Sequence, residues 1–205
     1  MPTASSPSDD IRRDLLAALA VPGHPSSDFD LNPEYKLPAD RKVRPAGVLI
    51  AVSVATAQPS IFLTKRSSAL KHHPGQIAFP GGKQDESDAS VVAAALREAK
   101  EEIGLAPEHV TVLGQLPSHE TVTGFAVTPV VGLLQSPFEP LAEPGEVEEV
   151  FTVPLDHVRD IHRYSVQSRR WRGHRRRYYT VPFGPYYVWG ATARMLRALA
   201  ARLNE

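Results

Sequence analysis

Apolar runs along the chain predict a set of short β-strands. Two of them, GVLIAV at 47–52 and IFLTKR at 61–66, are partly β-branched, and TAQPS between them predicts a hairpin. Residues 67–88 are rich in Gly, Pro, Asp and Ser, which predicts a long loop. Further strands are predicted near 77–79, 110–116, 126–134, 147–153 and 177–182.

Apolar residues at helical spacing predict helices elsewhere. The clearest stripe is Val92, Ala95, Leu96, Ala99 and Ile103. Helices are predicted around 11–19, 89–103, 155–161 and 187–203. Strands and helices in mixed order, without regular βαβ alternation, predict the α+β class, with a mixed β-sheet sandwiched between α-helices.

Composition narrows the class of protein. The chain has 205 residues, with 23 Lys and Arg against 23 Asp and Glu, so no overall charge favours a nucleic acid or a membrane as partner. The absence of cysteine excludes disulfides, thiol catalysis and cysteine-bound zinc. No apolar run reaches the roughly 18 residues of a membrane span. Acidic residues precede the apolar patch at 15–21, which argues against a secretory signal, so we expect a cytoplasmic protein.

The chain divides into two parts. Residues 1–42 contain many Pro, Ser and Asp, and we expect an N-terminal helix followed by an extended linker, or an arm packed on the body. Residues 43–205 carry the predicted strands and the remaining helices, and we expect them to form one domain.

The helix at 89–103 carries an unusual charge pattern. Glu98, Glu101 and Glu102 fall within an arc of roughly 100°, and Lys100 lies on the opposite side. Neighbouring like charges destabilise an exposed helix by a few tenths of a kcal/mol each. A solvated acidic face is one interpretation. The other is a site for a hard cation such as Mg²⁺ or Mn²⁺, which prefers oxygen ligands.

The loop before this helix favours the cation. In FPGGKQDESD at 79–88, Gly81 and Gly82 let the backbone approach a ligand without a Cβ in the way. Ser87 or Asp88 is the expected N-cap of the helix. A glycine loop that leads into a helix with carboxylates on one face is typical of a site for metal-bound phosphates.

Residues 82–105 resemble the Nudix box, G-x5-E-x7-R-E-U-x-E-E-x-G-U with U aliphatic. The second half matches at Arg97, Glu98, Glu101, Glu102, Gly104 and Leu105. The first half differs, because the acidic position is Asp88 and eight residues separate it from Arg97. The resemblance implies a Nudix hydrolase with the Nudix fold.

A longer resemblance points to one branch of that family. LTKRSSALKHHPGQIAFPGGKQDESD at 63–88 is similar to the segment that marks coenzyme A pyrophosphatases, in which L-T-x-R-S, a basic residue, G-Q and F-P-G-G precede D-x-x-D. The shifted acidic residue is usual in that branch. Lys71 stands where the branch usually has Arg, which replaces a planar bidentate donor by a point charge.

The resemblance implies a reaction and roles for residues. Water and a divalent metal, Mg²⁺ or Mn²⁺, would cleave coenzyme A to 3′,5′-ADP and 4′-phosphopantetheine. Glu98 and Glu102 would be the leading metal ligands, Glu101 a third ligand or the group that handles water, and the Gly82 carbonyl a further ligand. Arg97 would orient the glutamates. Substrate contacts are expected from Arg66, Lys71, His73, Gly81 and Gly82.

The sequence leaves alternatives for the general base, the substrate and the arginine-rich stretch. The general base is a carboxylate of the box, Glu146 or Glu149. The substrate is coenzyme A or another nucleotide, such as NADH, ADP-ribose or an oxidised nucleoside triphosphate. The stretch at 163–177 contains seven arginines and is a solvated strand pair, a subunit interface, a contact for the substrate's extra phosphate, or an RNA-binding surface of a regulatory module. Nucleic acid is the least expected partner, and a homodimer would be unsurprising for the family.

Overall fold

The computed structural model describes residues 7–34, 41–171 and 173–205. Its strands are β1 Ser26–Ser27, β2 Arg44–Ser53, β3 Ser60–Arg66, β4 Ile77–Ala78, β5 Gly81–Lys83, β6 Thr111–Gln115, β7 His119–Glu120, β8 Phe125–Leu134, β9 Val147–Pro154, β10 Ser165–Trp171 and β11 His174–Thr180. Its α-helices are α1 Pro7–Ala20, α2 Val91–Ile103, α3 Leu155–Arg159 and α4 Gly190–Leu203, and 3₁₀ turns cover Pro107–His109 and Ile161–Arg163.

The main sheet is mixed and is centred on β2. Strand β2 runs parallel to β8 over its full length and antiparallel to β3 and β5 on its other side. The predicted hairpin of β2 and β3 is confirmed, but the strands pair only next to the turn, from Val52 opposite Ile61. Farther along β2, β5 takes that edge, so the glycine loop is fixed to the centre of the sheet.

Helices cover both faces of this sheet, as predicted. On one face, Ala95, Ala99 and Ile103 of α2 are fully buried against Leu49 and Val130. On the other face, α1 and α4 contribute buried residues to the larger core cluster. Burial of an apolar face on each side of one sheet is what holds the three layers together.

Helix α2 lies close to the sheet because β2 carries a glycine beneath it. A Cβ at Gly47 would collide with the carbonyl oxygen of Val91, the first residue of α2. The predicted N-cap is wrong: Ser90 caps the helix, and its Oγ accepts a hydrogen bond from the Ala93 amide at 3.2 Å. Asp88 is unavailable as a cap because its carboxylate binds Arg97. Gly104 ends the helix with φ 73°.

Other boundaries also differ from the predictions. The predicted helix at 155–161 divides into α3 and a 3₁₀ turn. The C-terminal helix begins at Gly190, because Trp189 is extended and forms a β-bridge with Thr180. The predicted strand at 177–182 begins earlier, at His174, and pairs with β10. The arginine-rich stretch is therefore largely a two-stranded antiparallel hairpin, one of the interpretations left open above.

No helix in the described part of the chain is long and apolar enough to cross a membrane.

Helix α1 belongs to the core rather than to a separate appendage. Leu15 is fully buried, and the Arg159 guanidinium, in α3, lies 3.2 Å from Asp14. The N-terminal helix and residues 43–205 therefore share one hydrophobic cluster. The domain boundary at residue 42 stays a prediction.

We expect Leu15→Ala to lower the free energy of unfolding by about 2–4 kcal/mol, because it removes a fully buried side chain and leaves a cavity. Leu16→Ala, on the same helix, is the control. Leu16 is 43% exposed, so its truncation should change stability by less than about 1 kcal/mol. Equal small effects in denaturant titrations would show that α1 does not pack on the core in solution.

Candidate active site

The glycine pair of β5 lies against the carboxylates of α2. A Cβ at Gly82 would come within 2.7 Å of three carboxyl atoms of Glu98. The Gly81 amide donates a hydrogen bond to Glu102 Oε2 at 3.0 Å, and its φ of 149° favours glycine. The two glycines therefore allow direct contact between the loop backbone and the metal-ligand candidates, Glu98 and Glu102.

Burial and mutual repulsion define the electrostatics of this contact. Glu102 is 3% exposed, and burial raises its pKa from 4.5 to about 7. Burial also raises the pKa of Glu98. Besides the Gly81 amide, Glu102 has Arg66 Nη1 at 3.7 Å as a favourable neighbour. The charge of Glu146 raises the pKa of both glutamates, so three carboxylates share one region.

Of the two general-base candidates outside the helix, the structure brings only Glu146 to this region. Glu146 precedes β9, and its carbonyl oxygen accepts a hydrogen bond from the Ser67 amide at 2.8 Å. Glu149 lies on β9 and accepts a hydrogen bond from the Tyr186 hydroxyl instead. The ring of Tyr186 in turn stacks on Phe151 with ring centroids 3.6 Å apart.

Arg97 is surrounded by acceptors. It donates to Asp88 through Nε at 3.0 Å and Nη2 at 2.9 Å, and Nη1 lies 3.0 Å from both Glu98 and Glu101. Its Nη2 also reaches the Lys83 carbonyl oxygen at 3.3 Å. The hydrogen bonds from Arg97 lower the pKa of Asp88. Arg97 is thus a positioning residue that ties the loop to the acidic face, and Asp88 is its anchor.

The three predicted carboxylates do not occupy equivalent positions. The side chain of Glu101 is 59% exposed and pairs with Arg97, whereas Glu98 and Glu102 face the glycines. No three or more His, Asp or Glu side chains of the described residues stand together as ligands of one metal ion. Glu98 and Glu102 nevertheless offer the oxygen ligands that a hard divalent cation prefers. The Arg66 guanidinium is 3.7 Å from Glu102, and the Arg97 guanidinium is 3.0 Å from Glu98.

A cleft of about 730 Å³ opens beside this acidic region, within the usual size of a small-molecule site. Of the predicted substrate contacts, Arg66, His73, Gly81 and Gly82 line it. Lys71 is exposed and is not among the lining residues. Glu98 and Glu102 are not among the lining residues, but they contact Gly82 and Gly81, which are. Lining residues that sequence reasoning missed include His72, Gln76, Arg44 and Phe125.

Residues of the N-terminal arm form part of the cleft wall, and a buried histidine of β7 holds them there. His119 is fully buried, and its Nδ1 lies 3.0 Å from Ser26 Oγ and its Nε2 3.1 Å from Asp28 Oδ1. These three residue types also form catalytic triads, but a fully buried imidazole cannot reach a substrate here. The contact instead joins β1 to β7. It places Asp28 and Asn32 on the wall of the cleft, a position that no local sequence signal indicates.

Comparison with known proteins identifies the family. A sequence profile described as the NUDIX domain matches residues 43–174. The uncharacterized Nudix hydrolase NudL of Enterobacter sp. (strain 638) is 46% identical over 161 residues, 78% of this chain and 83% of that protein. The protein of the same name from Cronobacter sakazakii is 44% identical over 162 residues, 79% and 84% of the two chains. The chain belongs to the Nudix hydrolase family.

The fold agrees with a solved structure. The structure of this chain matches the crystal structure of DR0079 from Deinococcus radiodurans with a TM-score of 0.52. The two are 14% identical, and the match covers 79% of this chain and 86% of DR0079. Nudix hydrolases act on pyrophosphate bonds of small nucleotide derivatives and generally require divalent metal ions. The predicted fold and enzyme class are therefore confirmed.

Glu102 makes the stability of the metal-free enzyme depend on pH. The pKa of Glu102 is higher in the folded than in the unfolded state. Glu102 therefore adds fully to the free energy of unfolding below about pH 4.5, and this addition is lost as the pH rises through about 7. Between pH 5 and 8 this loss is about 2–3 kcal/mol at 1.36 kcal/mol per pKa unit. In chelator, Glu102→Gln should lack this loss, whereas Glu101→Gln, at the exposed position, should retain it. Identical pH profiles of unfolding for wild type and Glu102→Gln would contradict the burial of this carboxylate.

Proposed function

We propose that this Nudix hydrolase cleaves the diphosphate of coenzyme A or its acyl esters, giving 3′,5′-ADP and 4′-phosphopantetheine or its acyl form. The observation that carries the proposal is the segment 63–88, whose residues resemble the coenzyme A branch of the family. In the fold this segment runs from β3 through β5 to Asp88, and it borders both the acidic region and the cleft.

The segment has a consistent physical role. Arg66 lines the cleft and also lies near Glu102, so it can contact a diphosphate beside the carboxylates. His73 and Gln76 supply further polar groups, and Phe79 an apolar wall. A diphosphate at the glycines, with the rest of the molecule in the cleft, would lie against Arg66, Gln76 and Phe79 of this segment.

The metal ligands in this proposal are Glu98 and Glu102, with Glu101 and the Gly82 carbonyl as further candidates. When bound, Mg²⁺ or Mn²⁺ would neutralise diphosphate charge and make a bound water more acidic. Arg97 holds Glu98 and Glu101 in place, and Arg66 adds positive charge on the cleft side. We assign to Glu146 the role of accepting a proton from water, because its charge raises the pKa of both Glu98 and Glu102 and it therefore lies near them.

An intact acidic face favours an enzyme over an RNA-binding or regulatory module. NADH, ADP-ribose and oxidised nucleotides are the substrates that a panel must compare with coenzyme A. A cytoplasmic location and a homodimer stay predictions of the sequence.

The decisive measurement is product analysis after incubation with coenzyme A and Mg²⁺ or Mn²⁺. We expect 3′,5′-ADP and 4′-phosphopantetheine, no turnover in chelator, and at least about a hundredfold loss of kcat in Glu102→Gln. Glu108→Gln, an exposed glutamate in a 3₁₀ turn, should behave like wild type. Turnover of NADH or ADP-ribose without coenzyme A hydrolysis would refute the proposed substrate, and full activity of Glu102→Gln would refute the metal assignment.

A second comparison tests the proton acceptor. Glu146→Gln should lower kcat by about 10²–10⁴-fold, the usual contribution of general-base catalysis. Glu149→Gln should have little effect on kcat, since Glu149 contacts Tyr186 rather than the acidic region. The reverse ranking in steady-state kinetics would transfer the role to Glu149.

A further inference from the structure

Two arginines of the β10–β11 hairpin lie directly opposite each other. Arg169 on β10 pairs in register with Arg176 on β11, so both side chains leave the same face of the hairpin, and both line the cleft. Like charges directly opposite each other destabilise a strand pair. A hairpin selected for stability alone would place a carboxylate at one of these positions.

The Arg169 guanidinium is held by stacking and not by a carboxylate. Its Cζ lies 4.3 Å from the ring centroid of Trp189. Within the described ranges, the guanidinium has no hydrogen bond or ion pair, and the side chain is exposed. Stacking uses the face of the planar group and leaves the N–H donors at its edge free for an anion.

The wall around this pair contains little negative charge. Among the described residues that line the cleft, Asp28 is the one carboxylate. Its oxygens already interact with His119 Nε2 at 3.1 Å and the Val122 amide at 2.9 Å. Tyr178 borders the same region and packs edge-on against Trp189. An anion at the arginine pair would therefore meet positive charge, hydroxyl and aromatic groups.

We propose that Arg169 and Arg176 form a second anion site, which binds a phosphate monoester of the substrate that is separate from the diphosphate. The inference rests on the proposed function only in placing the diphosphate at the glycine loop, across the same cleft. A phosphate monoester carries about two negative charges and three acceptor oxygens, which suits paired guanidinium groups. For coenzyme A this group is the 3′-phosphate of its adenosine.

The binding test compares two nucleotides that differ by this phosphate. We expect the wild type to bind adenosine 3′,5′-bisphosphate about ten- to hundredfold more tightly than adenosine 5′-monophosphate in calorimetric titrations. The difference comes from charge-assisted hydrogen bonds that only the 3′-phosphate can accept from the arginine pair. Arg169→Gln should lose this preference while its affinity for the monophosphate stays unchanged. Arg170→Gln is the matched control, because Arg170 lies next in sequence but pairs with Arg175 on the opposite face.

A turnover test separates this inference from the proposed function. If the second site exists, kcat/KM for coenzyme A should exceed that for dephospho-coenzyme A, and Arg169→Gln should remove the difference mainly through KM. Coenzyme A hydrolysis without any discrimination in either test overturns the inference and leaves the proposed function. Discrimination in binding without coenzyme A hydrolysis supports the second site and refutes the proposed function. Arg169-dependent, salt-sensitive binding of single-stranded RNA, with no discrimination between the two nucleotides, would overturn the inference in favour of a nucleic-acid surface.

Discussion

The contact between the glycine loop and the two carboxylates of α2 is the constraint on which the site depends. Glu102 is almost fully buried, and an isolated buried carboxylate is strongly unfavourable. The structure limits this penalty with one amide hydrogen bond from Gly81 and one guanidinium at 3.7 Å. Neither neutralises the charge, which is why the pKa of Glu102 stays raised. A divalent cation at this position would supply the missing positive charge, so the same feature that weakens the metal-free fold favours metal binding.

The packing of the surrounding elements fixes this contact in place. The close packing of α2 on β2 at Gly47 sets the depth of the helix, and the pairing of β5 with β2 sets the position of the loop. Arg97 then links the two, because it binds Asp88 on the loop side and Glu98 and Glu101 on the helix. The acidic residue near the start of the motif, Asp88, therefore has a structural role as the partner of Arg97.

The sequence predicts the fold class and the helix α2, but it does not predict which distant residues come into contact. The apolar stripe of α2 and the acidic face predict the helix and its chemistry, because both depend on residues one or two turns apart. The N-cap prediction is wrong because the Asp88 carboxylate binds Arg97. Packing of the arm on the body is one of the predicted alternatives, but the place of Asp28 and Asn32 on the cleft wall is not predictable, since it depends on His119, far along the chain. The face of the hairpin that Arg169 occupies likewise depends on pairing register, which composition does not reveal.

The groups proposed for catalysis and part of the cleft wall lie in different segments of the chain. The matched family segment, 43–174, contains α2, the glycine loop and Glu146, which are the proposed chemical groups. Asp28 and Asn32 precede that segment, and Arg176, Tyr178 and Trp189 follow it, yet all five line the same cleft. A conserved reaction requires the carboxylates to keep their positions, whereas different nucleotides can be accommodated by changing walls that lie outside the motif. The family segment therefore holds the proposed chemical groups and part of the cleft wall, including Arg66 and Arg169, whereas the rest of the wall comes from the arm, the end of the hairpin and the start of α4.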